Sequence, residues 1–263
     1  MGDEIGSIEL ADEFRGESSS GSFSVDASHI KKDLKSRLNQ SGLPLDFQDG
    51  YPIVSTVGPQ NFLVLAIKRS ADIAISLVAL IALSPLLVAI ACLIKATSAG
   101  PLLFTQNREG LNGRVFRMYK FRSLEWAASD HSGLQAVKNG DPRLTKFGAF
   151  LRRTSFDELP QLFNIIRGDM SLIGPRPQVP GMLVNERRYD EIVPYYHLRH
   201  KMKPGLTGWA QANGLRGPVE TPQSAAARVD HDLAYISNFS LTLDVKILVW
   251  TLWQELIKLG RGT

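Results

Sequence analysis

The sequence predicts a mostly helical α/β domain held at a membrane by an N-terminal helix–break–helix, behind a disordered tail. Three observations carry this. Residues 73–94 are 22 consecutive positions without a charge, a Ser84-Pro85 pair interrupts them near the middle, and residues 98–263 alternate short apolar runs with Gly and Pro punctuation. Boundaries follow at 1–60 for the tail, 61–97 for the membrane hairpin and 98–263 for the main domain.

Residues 1–60 hold ten Asp/Glu against five Lys/Arg, with a run from Glu17 to Ser24 that is nearly all Ser and Gly. Apolar spacing is poor apart from a short possible helix near Ile30–Leu38, so this segment is expected to lack a core. It does not read as a secretory leader, because no basic start precedes an apolar stretch and a small-residue cleavage site. The remaining 203 residues carry 25 Lys/Arg against 16 Asp/Glu, a net charge of +9. Such a surplus favours anionic partners: phosphates, nucleic acid or an acidic membrane surface. With Cys92 as the one cysteine, a disulfide framework or a multi-cysteine metal site is excluded.

The uncharged run is long enough to cross roughly 30 Å of hydrocarbon at about 1.5 Å per residue. A buried helix of a soluble protein is the alternative, but few small domains can cover such a helix on every side. Pro85 offers no N–H to the carbonyl of Ile81, so the helix must kink or break there. The freed carbonyl needs another donor, for which the Ser84 hydroxyl or water would serve. Lys68 and Arg69 precede the run, and Lys95, Arg108, Arg114 and Arg117 follow it. Cations mark the cytoplasmic flank, and their presence at both ends favours a hairpin that enters and leaves by one leaflet over a kinked single span.

In the main domain, Val115–Phe121 has strand composition, and Leu162–Ile166, Val184–Ile192 and Ala225–Tyr235 suit short helices. Leu241–Leu259 is apolar with few charges and contains Trp250 and Trp253. It suits a core helix or one lying in the membrane interface, where Trp prefers to sit, and the membrane segment favours the latter.

Candidate chemistry centres on Arg152-Arg153-Thr-Ser-Phe-Asp157-Glu158, two adjacent carboxylates where a helix should begin. Ser155 and Glu158 have capping-box spacing, and acids in a first turn suit the helix dipole, so a structural role competes. The chemical reading gains from Gly174-Pro175-Arg176-Pro177, where flanking prolines restrict Arg176 and so reduce the freedom it loses on gripping an anion. Lys120-Phe-Arg122-Ser123 adds cations that could hold phosphate or form a basic surface strand. Asp230-His-Asp232 is a D-x-D pattern of the kind that holds a divalent cation in direct glycosyltransferases, although residues two apart on a helix face different ways. His197 and His200 lack an acidic cluster to complete a metal site, and no nucleophile elbow is present. Aromatic residues interleave the cations at Phe104, Phe116, Tyr119 and Phe121, but they read as core, and the membrane segment further disfavours nucleic-acid stacking.

At these residues the chain resembles the bacterial sugar transferases, or monotopic phosphoglycosyl transferases. The resemblance runs from about Lys68 to Leu256. It takes in Lys68-Arg69-x-x-Asp72, Ser84-Pro85, Gly100-Pro101-x-x-Phe104-x-Gln106-x-Arg108-x-Gly110 and Lys120-Phe-Arg-Ser123. Further on come Asp157-Glu-Leu-Pro-Gln161, Met170-Ser-Leu-Ile-Gly-Pro-Arg-Pro177, Pro204-Gly-Leu-Thr-Gly208 and Tyr235-Ile-Ser-Asn-Phe-Ser240 before Asp244. Each block is weak, and their series in order is specific.

The resemblance implies a re-entrant membrane helix and a catalytic domain on the cytoplasmic face of a bacterial inner membrane. It implies that Asp157 attacks the β-phosphate of a nucleotide sugar and carries the phosphosugar, that Glu158 binds Mg²⁺, and that Arg152 and Arg176 hold phosphate. The expected partners are a UDP-hexose, undecaprenyl phosphate, inner-membrane lipid and downstream glycosyltransferases, but no nucleic acid. The expected outcome is the start of an exopolysaccharide or similar surface glycan. Longer relatives carry several membrane spans before this core, where this sequence has its acidic segment. The stretch Gly214-Leu-Arg216-Gly-Pro-Val-Glu220 is similar to hexose-using relatives, with Pro218 a departure, so glucose or galactose is expected. A direct glycosyltransferase using Asp230 and Asp232, or a non-catalytic membrane scaffold, stands as the alternative.

Overall fold

A computed structural model describes residues 42–48, 51–53, 62–130, 137 and 140–260. The expected tail over 1–41, with its short helix near Ile30–Leu38, lies outside the described residues. The end of the 1–60 segment differs from expectation. Strands β1 (Asp46–Gln48) and β2 (Tyr51–Ile53) pair antiparallel, and Leu45 just before them is buried in the main core. Leu43 packs against the same core, and Asn238 Nδ2 donates to the Pro44 carbonyl at 2.6 Å. The two leucines tether this stretch to the main core.

Helices α1 (Phe62–Ala82) and α2 (Ser84–Thr97) meet at an angle of 63° across Leu83. Among the described residues no single helix is long and apolar enough to cross a membrane, whereas this bent pair together is. The break lies where Pro85 predicts it, in the first turn of α2, where proline's missing N–H costs that helix nothing. Ser84 Oγ donates to the Ile81 carbonyl at 2.8 Å, satisfying the acceptor that Pro85 orphans.

The amphipathicity of α1 is inverted relative to a soluble helix. Its buried residues are polar, Lys68, Asp72 and Ser76, at i, i+4 and i+8 on one stripe. Phe62, Leu63, Val78 and Ile81 are each more than 60% exposed. Asp72 Oδ1 accepts from the Leu172 amide at 3.1 Å, Lys68 Nζ donates to the Ile173 carbonyl at 3.2 Å, and Lys68 pairs with Asp244 at 2.6 Å. Arg69 donates to the carbonyls of Ile165 and Ile166.

Two seven-residue strands, β3 (Leu103–Glu109) and β4 (Val115–Phe121), form an antiparallel ribbon with Phe104 opposite Lys120. Residues Asn112 and Gly113 at its turn both take positive φ, the conformation a tight hairpin requires. After α3 (Lys146–Arg153), a 3₁₀ turn over Phe156–Glu158 leads into α4 (Gln161–Arg167). Gly148 in α3 sits where a Cβ would lie 1.9 Å from the Ser123 carbonyl, so only glycine lets α3 approach the chain leaving β4. Ile90 and Ile94 of α2 pack there with Phe121 and Leu151 in a second, smaller core.

Strand β5 (Ser171–Ile173) runs parallel to β8 (Gly205–Thr207). Between them lie β6 (Leu183–Val184), β7 (Arg187–Arg188), α5 (Tyr189–Ile192) and a 3₁₀ turn over Tyr196–Lys201. The helix expected over Val184–Ile192 is therefore corrected. Asn185 and Glu186 take left-handed φ of 49° and 64°, closing a hairpin, and only the last four residues are helical. Then follow α6 (Trp209–Ala212), α7 (Pro222–Ser237) and α8 (Leu241–Gly260). Helix α7 is capped by Thr221, whose side chain accepts from the Ser224 amide. Most of α7 is buried in the main core, while α8 exposes Val245, Val249, Leu252, Trp253 and Leu256.

Candidate active site

The site forms where β4, the Phe156–Glu158 turn and the Pro175–Pro177 loop converge. Ser155 takes φ of 58°, a left-handed conformation that reverses the chain after α3 and aims the following turn back at β4. Its Oγ donates to Glu255 Oε2 on α8 at 3.3 Å, which braces the reversal. The capping box expected from Ser155 and Glu158 does not form: Ser155 makes no cap hydrogen bond, and α4 begins only at Gln161.

The two carboxylates have different surroundings. Glu158 Oε1 accepts from Lys120 Nζ at 2.8 Å and from an Arg176 nitrogen at 2.7 Å, with a second Arg176 contact to Oε2 at 3.4 Å. Burial pushes its carboxyl up, but the Arg176 and Lys120 charges outweigh burial and hold it well below the usual range. Asp157 is 5% exposed and makes no hydrogen bond or ion pair among the described residues. Burial raises its pKa, Glu158 adds to the rise, and Lys120, Arg152 and Arg176 oppose it.

Arg176 is fixed from behind. The Arg199 guanidinium, buried and paired with Asp232, donates to the Arg176 carbonyl at 2.8 Å, and the Gly205 amide donates to the Pro175 carbonyl at 2.9 Å. Asp232 is thus a structural ion-pair partner, and Asp230 accepts from the Tyr195 hydroxyl at 2.7 Å. Both carboxylates are buried on α7, which corrects the alternative in which they hold a catalytic cation. His200 lies 3.4 Å from Glu109 and edge-on to Tyr196.

A cavity of about 220 Å³ opens beside the dyad. Its wall includes Lys120, Arg152, Asp157 and Arg176, so four of the expected residues do come together. Arg152 enters from the last turn of α3 and remains exposed. Arg122 also borders the cavity, but the phosphate contact expected of it is corrected. Its guanidinium donates to the carbonyls of Ser98 and Ala99 and to Ser98 Oγ, and it lies against that of Ile94. The side chain therefore caps the C-terminal end of α2, where a cation suits the dipole. Ser84 and Pro85 lie at the bend, away from the cavity lining.

Sequence reasoning assigned no site role to Arg108, Gln178 or Arg228, all on the cavity wall. Gln106 and Arg108 share one face of β3 by i, i+2 spacing, a signal the sequence did contain. Arg228, inside a helix more than fifty residues from the Arg176 loop, carried none.

Among the described residues, no three His, Cys, Asp or Glu side chains gather as a metal cluster. Asp157 and Glu158 alone match the sparse kind of Mg²⁺ site, in which one or two carboxylates are completed by substrate phosphate oxygens. The donor set fits a hard divalent cation in that form, with Asp157 offering open oxygens and Glu158 its remaining lone pairs.

A family model described as "Bacterial sugar transferase" matches residues 63–258. The exopolysaccharide production protein PSS of Rhizobium leguminosarum bv. phaseoli is 50% identical over 199 residues, covering 75% of this chain and 98% of that protein. The UDP-glucose:undecaprenyl-phosphate glucose-1-phosphate transferase of Escherichia coli (strain K12) is 41% identical over 214 residues, 81% of this chain and 45% of that protein. The UDP-N-acetylgalactosamine-undecaprenyl-phosphate N-acetylgalactosaminephosphotransferase of Aeromonas hydrophila is 44% identical over 186 residues, 71% of this chain and 43% of that protein. The chain thus spans less than half the length of the latter two.

Proposed function

The chain belongs to the bacterial sugar transferase family, and from that premise we propose that it moves a hexose 1-phosphate from a UDP-hexose to undecaprenyl phosphate. The observation that carries this reading is the contrast within the dyad. Asp157 is nearly buried with no protein partner among the described residues, whereas Lys120 and Arg176 both hold Glu158. A carboxylate with open lone pairs in a cation-lined cavity suits attack, and one held by two cations suits an orienting role.

In the first half-reaction an Asp157 oxygen forms a bond to the β-phosphorus of the donor. The bond from that phosphorus to the bridging oxygen breaks, and UMP leaves with the electron pair. In the second, a phosphate oxygen of undecaprenyl phosphate attacks the same phosphorus, yielding the lipid diphosphate sugar and freeing Asp157. A carboxylate 4 Å from a phosphate charge is repelled by roughly 4 kcal/mol per charge pair at an effective dielectric of 20. Arg152, Arg176 and Lys120 offset that repulsion. Mg²⁺, which Glu158 with Asp157 would hold, supplies further neutralisation of phosphate charge when bound.

The same reading places α1 and α2 in the membrane as a re-entrant pair, with the cavity at the headgroups on the cytoplasmic face of the inner membrane. The inverted amphipathicity of α1, the exposed apolar side of α8 and the hydroxyl-satisfied bend support it. Glucose or galactose is the hexose proposed, the product being the first lipid-linked unit of an exopolysaccharide or related glycan for downstream glycosyltransferases to extend.

The test is to give the detergent-purified chain undecaprenyl phosphate, Mg²⁺ and a panel of UDP-sugars, and to identify the nucleotide released. UMP with UDP-glucose or UDP-galactose is the expected product. Release of UDP would mean direct glycosyl transfer, and release of neither nucleotide from any donor would leave a scaffold.

A further inference from the structure

Four donors on the cavity wall have buried nitrogens that no acceptor takes among the described residues: Arg108 Nε, Arg122 Nε, Gln178 Nε2 and Arg228 Nε. Arg122 is held at the end of α2 by its other nitrogens, and the remaining three come from separate parts of the chain, namely β3, the loop after Pro177, and α7. The remaining nitrogens of the two arginines among these three hold them in place. Arg108 donates to the Pro177 carbonyl at 3.2 Å and to Gln106 Oε1, and Arg228 donates to the Gly217 carbonyl at 2.9 Å. The residues themselves are well covered, Gln178 being 4% and Arg228 5% exposed.

The charge pattern separates these groups from the dyad. Lys120 and Arg176 form ion pairs with Glu158, and the Arg122 guanidinium caps α2. Neither Arg108 nor Arg228 pairs with a carboxylate among the described residues, although both face the same cavity. Burial and the nearby Arg176 charge disfavour both guanidinium ions, and Arg108 is brought down to about 10. Buried cations that lack a counter-charge call for an anion, and buried donors that lack an acceptor call for its oxygens.

We infer that Arg108, Gln178 and Arg228 form a second phosphate subsite, which holds the UMP phosphate as it leaves and then the polyprenyl phosphate as it attacks. The inference rests on the sugar 1-phosphate transfer reading. The phosphorus under attack belongs beside Asp157, with Lys120, Arg152 and Arg176, so the donor's other phosphate needs a different set of donors in the same cavity. In-line displacement sets the order of use. UMP departs on the side opposite Asp157, and the second nucleophile must enter from that same side. One subsite therefore serves a phosphate monoester from two sources in turn, one soluble and one lipid-borne.

The test is binding by the detergent-solubilised full chain, with UMP as one probe and a short-chain polyprenyl phosphate as the other. Each is measured by calorimetry and by the shift in melting temperature against the same variant without ligand. Arg108→Gln and Arg228→Gln are expected to weaken both probes roughly 10-fold or more, and Gln178→Leu roughly 5-fold. In the wild type, UMP should compete with the polyprenyl phosphate. The Gln178 variant removes no charge and keeps the test open if a buried arginine variant fails to fold. Wild-type affinity for both probes in the folded variants would overturn the subsite, as would loss for one probe alone or simultaneous binding of both. A wild type that binds no UMP at all would instead overturn the transfer reading beneath it.

Discussion

Asp157 and Glu158 are neighbours in sequence, yet the fold drives their protonation in opposite directions. For Glu158 the folded pKa lies below the unfolded one, so its stabilisation is complete above the unfolded value and is lost as pH falls toward the folded value. Asp157 has the opposite sign. Its folded pKa is raised, chiefly by burial, so its ionised form is held against the preference of the fold and the strain grows as pH rises through that value. Because attack needs the carboxylate, nucleotide release should fall on the acid side at a pH above that of an ordinary aspartate. Lys120 is the largest opposing influence on Asp157. Lys120→Gln should therefore move that acid limb to higher pH, besides lowering the rate, in a profile of UMP release measured between about pH 4 and pH 8. An unmoved limb would mean that the Lys120 charge does not govern Asp157. Two adjacent acids downstream of two arginines were legible as a candidate site. Which acid is bound and which is open was not, because Glu158 is fixed by Lys120 from 38 residues before and Arg176 from 18 after. Arg122 misled for the same reason: its partners are carbonyls at the end of another helix, and nothing local in Lys120-Phe-Arg-Ser123 announces them.

At the level of elements, α1 is attached to the rest of the protein through charge while it turns its apolar side outward. The Lys68–Asp244 pair is 7% and 13% exposed, and Asp244 also accepts from the Tyr235 hydroxyl at 2.6 Å. Removing one member leaves the other buried without its counter-charge. Lys68→Met is expected to cost about 3–5 kcal/mol, with partial recovery in the Lys68→Met, Asp244→Asn double variant. Detergent-phase unfolding of the three proteins checks both statements, and additive losses would mean that the pair is not coupled. The helix break was readable from chemistry alone, because proline's missing donor and a neighbouring hydroxyl define the problem and its remedy at adjacent positions. The β6–β7 hairpin was not. Its two left-handed residues are Asn185 and Glu186 rather than glycines, so the apolar spacing around them mimics a helix. Strand β3 was hidden too, since six of its seven residues are half-buried or exposed in a ribbon whose partner strand carries the clearer pattern.

Across the whole molecule, the exposed apolar side chains gather on α1, α2 and α8, and the cavity lies among the cations beyond them. The basic surplus of residues 61–263 was visible in composition and pointed to anionic partners. The arrangement of that charge around one cavity required the fold. A bent pair that returns to its own leaflet leaves both ends of the chain on one side of the membrane. Epitope tags at the two ends should then be equally open to protease in sealed inside-out inner-membrane vesicles. Protection of one tag alone would replace the hairpin with a span.

The proposed transfer runs through a covalent bond to Asp157, and the mass of the intact protein reports that bond directly. Incubated with Mg²⁺ and UDP-glucose or UDP-galactose but no lipid acceptor, the wild type should gain the mass of one hexose phosphate and release UMP in equal amount. Asp157→Asn should do neither. No added mass on a wild type that turns over once undecaprenyl phosphate is supplied, or the same adduct on the asparagine variant, would contradict the account.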